Sequence, residues 1–362
     1  MRNKIHIKCH TDYDVFTNKK LYIYALKLTS MILKQFSVFL LISAGLLSCS
    51  KANQENINID SSNTEIIAPI KGASNTSNAT VVKKFLFDAS QAETAGNADW
   101  VIDEDNSNPQ RIPTPLQSTV TSTTAVTYWT GALSSWGIAL AKKGHKVETL
   151  PSTGLITYGV TTNAQDLKNY DVFVVDEPNI RFTTAEKQAI LNFVKNGGGL
   201  FMISDHTISD RNNDGWDSPA IWNDLMTNNG LVTNPFGFSV DLTDITQLST
   251  NVLTGNTTNP ILHGTEGNAT KLDFHNGATL TLSPTANATV QGLFWQNSTA
   301  QSTAKAMSAS STYGTGRVYV VTDSSPMDDG SGAAGNILYV SWSLYTHAAL
   351  FMNASLWLAK LQ

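Results

Sequence analysis

The chain has 362 residues, 41% hydrophobic and 15% charged, which is enough apolar sequence for the core of one large or two small domains. A formal net charge of −5 argues against a basic face for nucleic acid, so no nucleic-acid partner is expected. With Cys9 and Cys49 the only cysteines, a disulfide framework and a thiolate zinc site are both excluded.

Residues 36–47 (FSVFLLISAGLL) form an apolar run between Lys34 and Cys49. As a helix this run would reach roughly 18 Å, too short to span a bilayer. The basic start, the short apolar stretch and Leu46-Leu47-Ser48-Cys49 resemble a bacterial lipoprotein signal peptide with its lipobox. The resemblance implies cleavage before Cys49, lipidation there, and a lipid anchor in the cell envelope, at the periplasmic face or the outer-membrane surface. Met31 stands where such a signal begins. Residues 1–30 are therefore read as an over-extension of the start site, 31–48 as the signal peptide, and 49–80, polar and Asn/Ser-rich, as a disordered tether. From Cys49 onward the chain carries 17 basic and 27 acidic residues and no other cysteine.

From residue 81 strand and helix patterns alternate. Residues 81–87 (VVKKFLF) read as an apolar strand ending at Asp88. Residues 125–143 carry apolar side chains at helical spacing up to Gly144, a glycine C-cap. Residues 145–150 form a second strand, and 171–175 (DVFVV) a buried one running into Asp176-Glu177-Pro178. Thr183 or Thr184 caps a helix that continues to Lys195. The strand 200–204 (LFMIS) leads into Asp205-His206, the strand 316–322 ends at Asp323, and 345–361 read as an amphipathic closing helix.

Apolar rather than alternating strands, separated by helices, predict an α/β fold with a parallel sheet covered on both faces. Ligands of such sheets bind beyond the carboxyl ends of the strands. Those ends carry Asp88, Asp176, Glu177, Asp205, His206 and Asp323. Strand ends also carry polar residues simply because they meet water.

The order DLKNYDVFVVDEP, helix, NGGGLFMISDH, NPILHG, YGTGRVYVVTDSS and a closing helix ending LWLAK resembles the class I glutamine amidotransferase-like superfamily, and within it the ThuA-like and related branches. The resemblance covers residues 81–362 and implies a flavodoxin-like sheet, with 230–300 as a β-rich insertion. True amidotransferases carry a nucleophilic cysteine on a tight turn after the strand that here is LFMIS; this chain has Asp205-His206. Amidotransferase and cysteine-hydrolase activity are therefore not carried over. ThuA-like proteins also lack that cysteine, and their link to sugar metabolism is the functional hint that the resemblance supplies.

Within 205–217 (DHTISDRNNDGWD), Asp210, Asn212 and Asp214 are spaced by two and followed by Gly215, as in the opening of a calcium loop. Asp217 adds a carboxylate, and the Trp216 carbonyl falls at the usual backbone-ligand position. Ile221 stands where a bidentate Glu would close an EF-hand, so Asp224 or Asp205 would have to complete the shell. The same residue types make ordinary turns. The expectation is a structural calcium ion that orders the loop over the sheet end.

No histidine pair has zinc-site spacing, and no G-x-S-x-G elbow or phosphate-cradling glycine loop is present. His206, after the strand and beside Asp205, is the best general base. Strand alternation would point these two neighbours apart. His263 and His275 are expected to be structural. The polar loop 88–115, with Trp100 and Arg111, and the acidic loop 323–332 are expected on the ligand side of the sheet. Two readings follow. The first is a calcium-stabilised binding module that takes a ligand, carbohydrate in class, at the sheet edge through Asp88, Asp176 and Asp323. The second is a hydrolase acting on such a substrate through Asp205, His206 and Glu177.

Overall fold

The computed structural model describes residues 81–362. The start-site, signal-peptide and tether expectations, and with them Cys49, lie outside the described residues. No described helix is long and apolar enough to cross a membrane.

The strands are β1 (Lys84–Asp88), β2 (Lys146–Leu150), β3 (Val172–Asp176), β4 (Gly199–Ile203), β5 (Phe238–Val240), β6 (Ile245–Ser249), β7 (Asn251–Val252), β8 (His263–Gly264), β9 (Gly267–Asn268), β10 (Leu272–Gly277), β11 (Leu280–Leu282), β12 (Gln291–Trp295), β13 (Ala306–Tyr313) and β14 (Gly316–Val321). The helices are α1 (Ser134–Lys142), α2 (Thr184–Lys195), α3 (Ser218–Thr227) and α4 (His347–Leu358). Strands β2, β1, β3, β4 and β14 lie side by side in that order and are parallel, the flavodoxin-like arrangement. Beyond β14 the sheet turns antiparallel through β13, β11 and β5, while β12 also pairs with β13 and carries β7 on its other edge. The fold is thus α/β and flavodoxin-like with inserted strands.

Strand alternation divides the core into two layers. Phe85, Phe87, Val172, Val174, Phe201 and Ile203 face the layer that holds Trp136 of α1 and Phe351 of α4. Leu86, Phe173, Val175, Leu200 and Met202 face the layer that holds Ile190 of α2 and Trp222 of α3. In the first layer Trp136 meets Phe87 and Phe201 edge-on, with centroids at 5.2 and 4.6 Å. Such pairs add about 0.5–1.5 kcal/mol each beyond their burial.

Two expected helices differ from their sequence reading. The helix read at 125–143 begins only at Ser134, because the amides of Ala132 and Leu133 donate to the carbonyls of Asp99 and Val101. The closing helix is buried nearly all round rather than amphipathic, since the sheet lies on one side and α1 and the β8–β9 hairpin cover others. Thr183 caps α2 in a full capping box with Glu186. The sequence reading left out α3, whose N-cap is Asp217.

Candidate functional site

Three carboxylates stand in a row across the carboxyl ends of adjacent strands. Asp176 closes β3 on the side that Val172 and Val174 face. Ile203 and Val321 are register partners on that same side, and the chain just beyond them brings Asp205 and Asp323 close enough for their charges to act on Asp176. All three are buried. Asp88, although also at a strand end, points to the opposite face with Leu86. There it accepts from the Ser90 amide and hydroxyl and lies beside buried Glu93.

Glu177 follows Asp176 with φ of 44°, a left-handed conformation that non-glycine residues seldom adopt. The turn carries its fully buried carboxylate into a dense network. Arg211 donates to it from Nε at 2.5 Å and from NH2 at 3.1 Å, Trp100 from Nε1 at 2.6 Å, and Ser324 from Oγ at 3.0 Å. Ser324 Oγ also lies 3.2 Å from Asp205 Oδ2, and Arg211 NH2 reaches that oxygen at 3.4 Å.

Asp205 Oδ1 accepts from the His206 amide at 2.7 Å and lies 2.9 Å from His206 Nδ1. Alternation would have separated these side chains, but β4 ends at Ile203 and the rule ends with it. His206 is only partly buried, and its Nε2 makes no hydrogen bond to the described residues. Asp323 accepts from the amides of Ser325 (2.8 Å) and His275. The His275 backbone thus borders the site, while its ring stacks on Tyr339 with centroids 4.7 Å apart and its Nε2 lies 3.4 Å from Asp273. His263, by contrast, is exposed on the β8–β9 hairpin and contacts Asn268.

Burial dominates the electrostatics. It raises Glu177, Asp176 and Asp323 well above the carboxylate range, and the Asp205 charge adds to each; Arg211 opposes the rise at Glu177. Both oxygens of Asp176 are buried with no hydrogen-bond partner among the described residues. Burial works against the charge on His206, yet the Asp205 hydrogen bond and charge outweigh it and raise its pKa. Burial likewise opposes the Arg211 charge, and Glu177 and Asp205 outweigh it. Asp99 is pushed to about 7 and Asp328 to about 6, both chiefly by burial.

The loop read as a calcium site lies on the same edge. Asp210 accepts from the amides of Asp214 (3.1 Å) and Gly215 (2.8 Å), Asn212 from that of Asp214 (3.1 Å), and Asp214 from that of Trp216 (2.9 Å). Asp217 is engaged in capping α3 through the Ala220 amide. Asp224 is held by Arg181 and Lys187, and the Trp216 ring lies under the Arg181 guanidinium at 4.1 Å. Among the described residues, no three or more His, Cys, Asp or Glu side chains are grouped to hold a metal ion.

Glu177, Asp205 and His206 thus come together, Asp176 and Asp323 adjoin them, and Asp88 stands apart. Arg211 and Ser324 were missed. Arg211 was visible as the lone Arg or Lys of 205–217, but the calcium pattern treats its position as a spacer. Nothing local in Asp323-Ser324-Ser325 marks Ser324.

No protein-family model matches the chain, and no curated protein sequence does. Solved structures of similar architecture include the mmIFT52 N-terminal domain (13% identity, 76% of this chain, 97% of that one, TM-score 0.44). A cytoplasmic protein from Salmonella typhimurium aligns at 12% identity over 76% of this chain and 99% of that one, with a TM-score of 0.42. A ThuA-like protein from Bacteroides uniformis aligns at 14% identity over 79% of this chain and 94% of that one, with a TM-score of 0.38. These scores add nothing to what the strand order itself establishes about the fold.

Proposed function

We infer that the carboxyl end of the sheet binds an uncharged or cationic, hydroxyl-rich ligand and that His206 exchanges a proton with it. The Asp205–His206 pair carries this reading. Asp205 holds Nδ1, which leaves Nε2 open, and a pKa that the Asp205 hydrogen bond and charge raise against burial suits an imidazolium acting as general acid. The surrounding carboxylates repel anions and accept hydrogen bonds, so a ligand rich in O–H or N–H donors complements them. Carbohydrate is the class that the resemblance over residues 81–362 implies, and hydrolysis is the reaction that an acid beside buried carboxylates serves. The test is calorimetric titration of the full chain, unaltered and as His206→Gln, with amino sugars and their aryl glycosides. Binding that His206→Gln weakens, with an unchanged circular-dichroism spectrum, supports the reading. Equal binding by the two forms, or none by either, contradicts it.

Binding without turnover is the second reading. Arg211 favours it, because its guanidinium already neutralises much of Glu177. In this reading calcium orders the 210–217 loop: each oxygen that accepts an amide keeps a further lone pair, and an ion would draw Asp210, Asn212 and Asp214 together with the Trp216 carbonyl and Asp217. We also propose, from the motif ending at Cys49, that the chain is lipid-anchored in the cell envelope. Loss of lipid labelling in Cys49→Ala tests it, and labelling that persists overturns it.

A further inference from the structure

A cavity lies at the other end of the sheet, built on the antiparallel strands. Gln291 of β12 and Ser310 of β13 are register partners, and Thr312 follows Ser310 on the same face. Thr312 in turn pairs with Arg317 at the start of β14. Arg317 and Asp323 are six residues apart along an extended segment, so roughly 20 Å separates this cavity from the acidic end. Together with Thr258, Asn259 and Trp357 of α4, these residues line a space of about 360 Å³. That volume falls within the ~300–1,000 Å³ range of small-molecule sites.

The chemistry of the lining is specific. No charged side chain contributes to it. Beside it, Arg317 is committed to the backbone oxygens of Trp357 and Gln362 and stacks over the Trp357 ring at 5.0 Å. An ion entering the cavity would therefore leave water without meeting an opposite charge. A purely apolar ligand fares no better, because hydrogen-bonding groups would be stranded. Asn259 Nδ2 donates to Gln291 Oε1 at 3.3 Å, which fixes that amide. Gln291 Nε2, Ser310 Oγ and the Trp357 indole N–H make no hydrogen bond to the described residues. What satisfies such a lining is a neutral molecule with paired donors and acceptors around a compact body.

We propose that this cavity binds a neutral polyhydroxylated ligand, a single sugar ring or the end of a glycan, independently of the acidic end. Gln291 and Ser310 engage its hydroxyls, and Trp357 supplies the aromatic wall. The probe is a set of neutral monosaccharides added to the full chain, read by saturation-transfer NMR and by the indole N–H resonance of Trp357, assigned through Trp357→Phe. At least one sugar is expected to bind and shift that resonance. Gln291→Leu with Ser310→Ala should weaken the binding that moves the Trp357 resonance at least about fivefold, the scale of a lost hydrogen bond, whereas Asp205→Asn should leave that shift of the Trp357 resonance unchanged. If the double variant fails to fold, Ser310→Ala alone and the resonance in the unaltered chain decide. A static Trp357 resonance at saturating sugar overturns the proposal, as does binding that Asp205→Asn abolishes and the cavity variants leave intact.

Discussion

Arg211 and Glu177 are joined by two hydrogen bonds, at 2.5 and 3.1 Å, inside a site that otherwise holds a surplus of carboxylates. Removing one partner of a buried ion pair leaves the other charge uncompensated, at a cost of about 3–5 kcal/mol. Arg211→Met should therefore destabilise the chain by that order at neutral pH. The loss should shrink at lower pH, where Glu177, already raised by burial, takes up a proton and no longer needs the guanidinium. Denaturant unfolding at two pH values checks both parts; a loss that does not change with pH would contradict the pairing.

Trp100 is a second support of the same carboxylate. Trp100→Phe keeps most of the ring and deletes the N–H that donates to Glu177 Oε2 at 2.6 Å. A hydrogen bond to a charged group contributes about 1.5–3 kcal/mol, and a stability loss of that size is expected. An unchanged unfolding midpoint would show that the bond is not made.

The raised carboxyl groups give the chain an unusual pH dependence. Asp88 and Asp328 rise to about 6 and Asp99 to about 7 when folded. Unfolded, each titrates near ~3.9, so between these values the folded state binds more protons. Stability then falls as pH rises through this window, by up to ~1.4 kcal/mol per pH unit for each group. Calorimetry should find a higher melting temperature near pH 5 than above pH 7, and Asp99→Asn should flatten the slope. Asp88 Oδ2 and Glu93 Oε1, buried without partners, are where a retained proton would bridge two carboxyls. Asp224 runs the other way. Burial alone would raise it, but Arg181, Lys187 and Asn228 hold it well below the usual range, so its contribution is lost only at strongly acid pH.

The 210–217 loop yields a direct metal test. If calcium occupies it, calcium should raise the melting temperature relative to chelator, and Asp210→Ala with Asp214→Ala should remove the difference. A melting temperature indifferent to calcium in the unaltered chain would leave these residues as turn formers, engaged with the amides of Asp214, Gly215 and Trp216.

Much of the fold was legible because apolar strands and a capping box are local signals. Residues 172–176 and 199–203 announce themselves, as does Thr183 ahead of α2. The start of α1 was not legible, because the carbonyls that take the amides of Ala132 and Leu133 come from residues some 30 positions away. The acidic strand ends were readable for the same local reason, but their grouping was not. Which face Asp88 takes follows from pleat register, and the approach of Arg211 and Ser324 to Glu177 depends on loops from two other strands.

The central claim is that the Asp205–His206 pair, seated on the buried carboxylates, meets a ligand. The most direct test is the thermal unfolding of the full chain with amino sugars, whose charge the uncharged Gln291–Ser310 cavity does not accommodate, comparing the unaltered protein with Asp205→Asn. The account predicts a ligand-dependent rise of several degrees that Asp205→Asn removes while the unliganded melting temperature stays within a few degrees, since ~1 kcal/mol moves a large domain by about 2–4 °C. A rise that survives Asp205→Asn undiminished, or no rise with any ligand of this class, would contradict it.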